Sequence, residues 1–290
     1  MDREVCNNPE QRRNETREII LGSVRDDVAK KRIPIYSNAW TWKVCDAGFK
    51  LSEALKDFDV MYEAVCRHHE KYLFDMYNDL GTRNPLRMAW AAGIRTYIID
   101  DEKNSLNFLD RERMYSDEYE AFLAGGHVKF CYERVLPRIA DYESREDMLQ
   151  KISDAGKEFL AMAAYTKRIN AQYRDGFGVP TMTGGRFAFP ADTLFSYLRG
   201  IKGISVDFRR NDKYISETLD EINRGNSIQK TLDSLTASDF CFAVRTVSLA
   251  HTVMNPKQFG KYMWPYMKAY IDEIVKRDMT AFIWQEGSIG

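Results

Sequence analysis

The segment AFIWQEGSIG, residues 281–290, runs through four apolar residues to a carboxylate, Glu286, and a glycine, Gly287. A charged residue at the C-terminal end of a buried strand reads as a substrate-facing acid; a carboxylate salt-bridged to a neighbouring loop is the competing reading. His251 follows the alternating run DFCFAVRTV, in the loop ahead of Asn255-Pro256. There it reads as a ligand or acid–base group, or as a loop histidine held by hydrogen bonds. Tyr36, Trp40, Trp42, Tyr77 and Trp284 fall near expected strand ends and suit the lining of a pocket for an aromatic or corrinoid-sized ligand. In a chain with 16 Tyr, 16 Phe and 5 Trp, however, most aromatic rings fill the core. His68 and His69 are adjacent on a helical stretch, cannot share a face, and read as a solvated helix end. His127 falls in a turn, and Cys45 is a pocket-mouth thiol or a small buried hydrophobe. TGGRF, 183–187, lacks both P-loop spacing and a Lys-Ser/Thr pair, and reads as a turn.

These residues need elements to hold them. Residues 14–31 carry a helical stripe at Ile19, Ile20, Val24 and Val28. RIPIYSNAW is a first strand entered through Pro34. A helix follows with Leu51, Ala54, Leu55, Phe58, Met61, Tyr62 and Val65 on one face, and YLFDMYNDL reads as a second strand. IRTYIIDDE is β-rich but belongs to an excursion from the main sheet. Residues 116–171 are largely helical and open at Ser116, with Asp117 and Glu118 where the helix dipole favours acids. In the second half GFGVPTMTGG is extended and ADTLFSYLRGI is a helix ending at Gly200. NDKYISETLDEINRGNSIQKTLDSL is an amphipathic helix, NPKQFGKYMWPYMKAYIDEIVKRD a long one, and TAFIWQE the last strand. Five main-sheet strands result, at 33–37, 72–78, 177–183, 239–246 and 281–286. Strands alternating with helices imply parallel pairing with right-handed crossovers. With no linker or low-complexity tract, 1–290 reads as one domain, with a helical segment at 1–32 and a helical excursion at 84–175.

Forty-two basic against forty-three acidic residues give a net charge of −1, so there is no electrostatic case for nucleic acid or an anionic membrane. No apolar run reaches membrane-spanning length and no signal-peptide core opens the chain. Five widely spaced cysteines without a C-x-x-C read as reduced thiols of a cytoplasmic protein.

GFGVPTMTGGRFAFPADTLFSYLRGIKGISVDF resembles a segment of the uroporphyrinogen decarboxylase superfamily that runs from a Gly-Pro strand through a helix ending in Leu-Arg-Gly. MNPKQFGKYMWPYMKAYIDEIVKRDMTAFIWQEG is similar to that superfamily's Ser/Asn-Pro-x-x-Phe … Trp-Pro helix and the strand after it. KKRIPIYSNAW and SDEYEAFLAGG…VLPR fit the same template more loosely. The resemblance implies a TIM-type (β/α)8 barrel with its site at the C-terminal ends of the strands. It also implies one of two chemistries: cofactor-free decarboxylation of a tetrapyrrole, or zinc-assisted methyl transfer to or from a corrinoid carried by a partner protein.

Residue by residue the resemblance is uneven. The decarboxylases' Arg-Gln-Ala-Gly-Arg-Tyr loop corresponds to Ser37-Asn38-Ala39-Trp40-Thr41-Trp42, without an arginine, and Lys43 is a poor replacement for bidentate guanidinium. Their aspartate after strand two corresponds to Asp75 or Asp79 in LFDMYNDLG. The methyltransferases' His-x-Cys-Gly corresponds to Trp284-Gln285-Glu286-Gly287, which removes the thiolate but leaves a carboxylate able to ligate zinc. The implied catalytic set is Glu286, His251 and Asp79, with Glu286 also the metal ligand. The implied substrate-binding set is Asn38, Trp40, Tyr77, Thr183 and Trp284. The expected function is a corrinoid-linked methyltransferase or demethylase component acting on a small methylated substrate. Uroporphyrinogen decarboxylase and a non-catalytic, partner-completed subunit are the alternatives. Five strands of eight would expose a hydrophobic edge, so the sequence reads either as a fragment or as a barrel completed by a second chain or by self-association.

Overall fold

The computed structural model describes residues 8–24, 32–77, 86–109, 112–180, 185–210, 212–235 and 244–287. It is a mixed α/β protein, mostly helical, with seven short strands among the described residues. Its contacts divide into two compact units: Met1–Leu109 with Asp141–Met182, and Asp110–Ala140 with Thr183–Gly290.

In the first unit, β1 (Tyr36–Ser37) and β2 (Met76–Tyr77) pair in parallel, with Ser37 opposite Tyr77. Between them the chain forms helices Trp42–Asp46, Leu51–Ala54 and Phe58–Lys71. The last of these starts where it does because the Asp57 carboxylate accepts the Asp59 and Val60 N–H groups, satisfying donors that the first turn leaves open. β3 (Tyr97–Asp100) and β4 (Ser105–Phe108) form an antiparallel hairpin apart from the other strands, as IRTYIIDDE suggested. The helix Arg145–Ala171, capped by the Ser144 hydroxyl, supplies Tyr165 and Ile169 to a core with Val44, Leu51, Met61, Val65 and Tyr173.

In the second unit, β5 (Gly185–Arg186), β6 (Val244–Ser248) and β7 (Phe282–Gln285) form a parallel sheet with β6 in the middle. Thr246 stands opposite Ile283, and Ser248 opposite Gln285. The β6–β7 connection is helical, Pro256–Tyr262 and then Trp264–Lys276. Asn255 and Gln258 cap its start reciprocally with Pro256 at the first helical position. The expected single helix breaks at Met263, ahead of Trp264-Pro265, because a proline cannot donate to the preceding turn. Phe122, Phe189, Leu194, Ile204, Leu219, Tyr262 and Tyr270 belong to this unit's core.

Among the described residues no barrel closes: the parallel strands form one pair and one triplet. The strand expected at 177–183 does not form over its described part. Phe177 and Val179 donate back to Gln172 and Tyr173, and Gly178 takes φ +62°, so GFG terminates the preceding helix; among the described residues the next pairing is at Gly185. The helix expected to end at Gly200 resumes as Gly200–Arg210 after a φ of +69° there, and helix 212–225 stops before a second one at Ile228–Asp233. The described part of the 84–175 stretch is largely helical, with the hairpin inside it. Among the described residues no helix is long and apolar enough to cross a membrane. Cys45, Cys66 and Cys131 are free thiols.

Candidate active site at the ends of β6 and β7

Thr246 and Ser248 are two apart on β6, so their side chains share a face, and both are buried. Past Ser248 the chain enters a single 3₁₀ turn, Ala250–Val253. That loop is anchored from a distant part of the sequence. Asp192 lies in the first turn of helix Pro190–Thr193, which opens with proline at its first position. Asp192 Oδ1 accepts the N–H groups of Leu249 and Ala250, both at 2.7 Å. Its other oxygen, Oδ2, is buried and without a hydrogen-bond partner.

Three influences set the charge of Asp192. Burial pushes its carboxyl up, the two amide bonds pull it down, and the negative charge of Glu286 pushes it up again. Desolvation outweighs the amides, and the result is about 7. No cationic side chain is among the groups that set it. A carboxylic acid is thereby held near half-protonation at neutral pH, with its free oxygen available to carry the proton.

Glu286 follows the last strand residue. Its N–H donates to the Ser248 carbonyl at 3.1 Å, extending the β6–β7 pairing by one step and holding the half-buried carboxylate beside the loop after β6. The next residue turns sharply. Gly287 has φ +96°, and a Cβ there would lie 2.5 Å from Thr252 Cγ2, so this position requires glycine. His251 places Nδ1 3.0 Å from Ser248 Oγ, while Nε2 is buried without a hydrogen-bond partner. Burial lowers its pKa, so the ring is neutral at pH 7. The group has a proton carrier at Asp192, a charged neighbour at Glu286 and a neutral imidazole oriented by Ser248.

The structure brings Glu286, His251 and the half-buried Trp284 of β7 to this one strand end. Asp79 and Thr183 lie outside the described residues. Asn38 and Trp40 follow β1 in the first unit, half-buried, with Trp40 at φ +44°. Tyr77, at the end of β2, is buried and hydrogen-bonded to His69 Nδ1, which places it in the packing of that unit. The solvated helix end expected at His68 and His69 is corrected: both rings are buried. They point to different sides of their helix, as adjacent residues must. His68 meets Asp46 at 3.0 Å, and His69 meets Tyr77 and stacks on Phe177 at 4.1 Å. His127, expected in a turn, opens the short helix His127–Phe130. Lys43 is buried, and burial pushes its amine well down from the ordinary lysine value.

Among the described residues no three His, Cys, Asp or Glu side chains gather to hold a metal ion. Glu286 therefore lacks described companions for a zinc site. Asp192 and Ser248 were missed in the sequence. The only local sign of Asp192 was its place just after Phe189-Pro190, which reads as an ordinary helix start, and its hydrogen bonds cross 57 and 58 positions. No protein-family model matches the chain, and a search of curated proteins likewise gave no match.

Proposed function

We propose that the β6–β7 strand end is an acid–base active site. In this reading the chain is the methyltransferase or demethylase component of a uroporphyrinogen decarboxylase-like barrel protein, acting on a small methylated substrate. The observation that carries it is Asp192: a buried carboxyl near pH 7, with Oδ1 committed to two amides and Oδ2 uncommitted. Parallel pairing of β1 with β2 and within β5–β6–β7, together with the helical β6–β7 connection, supports the barrel-type reading, because such connections build βα repeats.

A corrinoid on a partner protein, when bound, supplies the cobalt that takes the methyl group. This chain's residues deal with what that transfer leaves behind. The electron pair of the breaking bond stays on the substrate's heteroatom, and protonated Asp192 delivers its proton there from Oδ2. Burial, and to a smaller degree the like charge of Glu286, keeps that proton on Asp192 beforehand. His251, neutral and held by Ser248, orients the substrate through Nε2. The test is methyl transfer from small methyl ethers, thioethers or amines to reduced cobalamin, followed by the change in its spectrum. Wild type is expected to turn over and Asp192→Asn to lose turnover. No transfer by wild type with any of them overturns the proposal, and conversion of uroporphyrinogen instead transfers the site to decarboxylation.

A further inference from the structure

The first unit holds an unbroken path of aromatic rings from its surface to a buried tyrosine. Trp42, 54% exposed, lies 6.0 Å from Tyr72 between ring centroids, and Tyr72 lies 6.0 Å from Phe74. Phe74 meets Tyr77 edge-on at 5.6 Å, and Tyr77 leans on Tyr173 at 4.7 Å. Each step is ordinary ring packing, so the path alone is no site.

Its inner end is set apart by the Tyr77 hydroxyl. Burial pushes that phenol up, so it keeps its proton and donates to His69 Nδ1. His69 is a neutral imidazole, and with Nδ1 accepting, its own hydrogen is on Nε2. A phenol that has lost an electron is a far stronger acid than any imidazolium. Here its proton has one existing hydrogen bond to cross. The other tyrosines of the path lack this arrangement. Tyr173 Oη is buried and has no hydrogen-bond partner among the described residues. Tyr72 donates to Asp46 at 3.2 Å, but Lys71 at 2.6 Å and His68 at 3.0 Å already hold that carboxyl below its usual range. A carboxylate so satisfied is a poor proton acceptor. Lys71 Nζ also lies 4.9 Å from the Tyr72 ring centroid, where a cation opposes removal of an electron.

We propose that the first unit is a one-electron relay: Trp42 gives an electron to an outer-sphere one-electron oxidant at the surface, and Tyr77 replaces it from the interior. The electron leaves Tyr77 by way of the Phe74 contact, Tyr72 and Trp42, and reduces the oxidant. The Oη–H bond of Tyr77 breaks, an Nδ1–H bond forms on His69, and a neutral tyrosyl radical is left beside an imidazolium. A returning electron reverses both transfers and restores the phenol. Nothing in this step depends on the β6–β7 site.

The test uses the full chain with photogenerated tris(bipyridine)ruthenium(III) as oxidant and a cobalt(III) ammine as final electron acceptor. Electron paramagnetic resonance of samples frozen after the flash is expected to show a long-lived tyrosyl radical in wild type. Radicals on exposed tyrosines such as Tyr132 form in every variant and decay by coupling, so the persistent component is the readout. Tyr77→Phe should lose that component. His69→Phe, which keeps a ring but removes the proton acceptor, should lose it as well. Trp42→Leu, at an exposed position, should slow its formation, and melting curves show which variants are folded. If Tyr77→Phe does not fold, His69→Phe and Trp42→Leu decide between them. No persistent tyrosyl radical in wild type overturns the proposal, as does one that survives in folded Tyr77→Phe or His69→Phe. A formation rate indifferent to Trp42→Leu overturns the route.

Discussion

The first unit buries two histidines beside β2, and the second buries a carboxyl beside β6. Burial acts the same way on both, favouring the uncharged form, yet the outcomes differ. His69, stacked on Phe177 and bonded to Tyr77, is pushed down to about 3 and stays neutral across the ordinary pH range. Asp192 is pushed up to about 7, where it exchanges its proton readily. Desolvation of a base whose pKa is already near neutrality silences it, whereas desolvation of an acid brings its titration to neutrality. Glu286, half-buried at the strand end, adds to the second effect. A buried titratable group is therefore not by itself a site; the direction of the shift and the unbonded Oδ2 are what single Asp192 out.

The largest expected effect separates the two regions by chemistry. Asp192→Asn keeps an oxygen for the Leu249 and Ala250 amides but has no proton to give, and activity should fall roughly 10²–10⁴-fold. Stability should move the other way. With a folded pKa of about 7 against roughly 3.9 unfolded, Asp192 stabilises the fold fully below about pH 4. That contribution, roughly a few kcal/mol, is lost as pH rises through about 7. The asparagine variant lacks this slope, so denaturant melts at pH 8 should show it at least as stable as wild type. A variant equally active, or one much weaker at pH 8 than at pH 5, would break the comparison.

His69→Phe keeps a ring on Phe177 but leaves the Tyr77 hydroxyl unpaired, a loss of about 1–3 kcal/mol at pH 7. Here the sign reverses. His69 has a lowered folded pKa, so wild type loses stability as pH falls from roughly 6.5 toward 3, and the phenylalanine variant does not. The gap between the two should narrow on acidification, and if the variant folds, the proposed methyl-transfer activity should be unchanged. Opposite slopes from His69 and Asp192 in the same pH window are what parallel melts should reveal.

Gly287→Ala places a methyl group against Thr252 at positive φ and should cost about 1–3 kcal/mol. Thr252→Ser removes the clashing Cγ2 while keeping the hydroxyl that bonds the Leu249 carbonyl, and should recover part of that loss. Full additivity of the two changes would show that the clash is not the cause. The smallest effect is Glu286→Gln. Removing the like charge should shift the alkaline limb of the activity profile, which reports ionisation of Asp192, to lower pH. An unmoved limb would detach Glu286 from Asp192.

How much of this was legible in the sequence depends on the range of the interaction. The β7 run FIWQ and its Glu286-Gly287 ending were readable, because a strand announces itself locally and its end follows. His251 was readable for the same reason. Asp192 was not, since its role depends on two amides more than fifty positions away. His68 and His69 were misread because one helix end here is wrapped on two sides, by Asp46 on one and by Tyr77 and Phe177 on the other. A sequence shows that adjacent histidines point apart; it does not show that both directions are occupied. Gly178 turned an expected strand into a helix stop, and Gly126 and Gly200 broke runs that composition alone made continuous.

The proposed site depends on the protonation of Asp192, and carbon-13 NMR of the aspartate side-chain carboxyls across pH, with wild type compared against Asp192→Asn, reads it directly. The expected result is one carboxyl resonance that titrates near pH 7 in wild type and is missing in the variant. If every aspartate carboxyl titrates near its ordinary value of about 4 or below, Asp192 is ionised at neutral pH and the acid–base site is wrong.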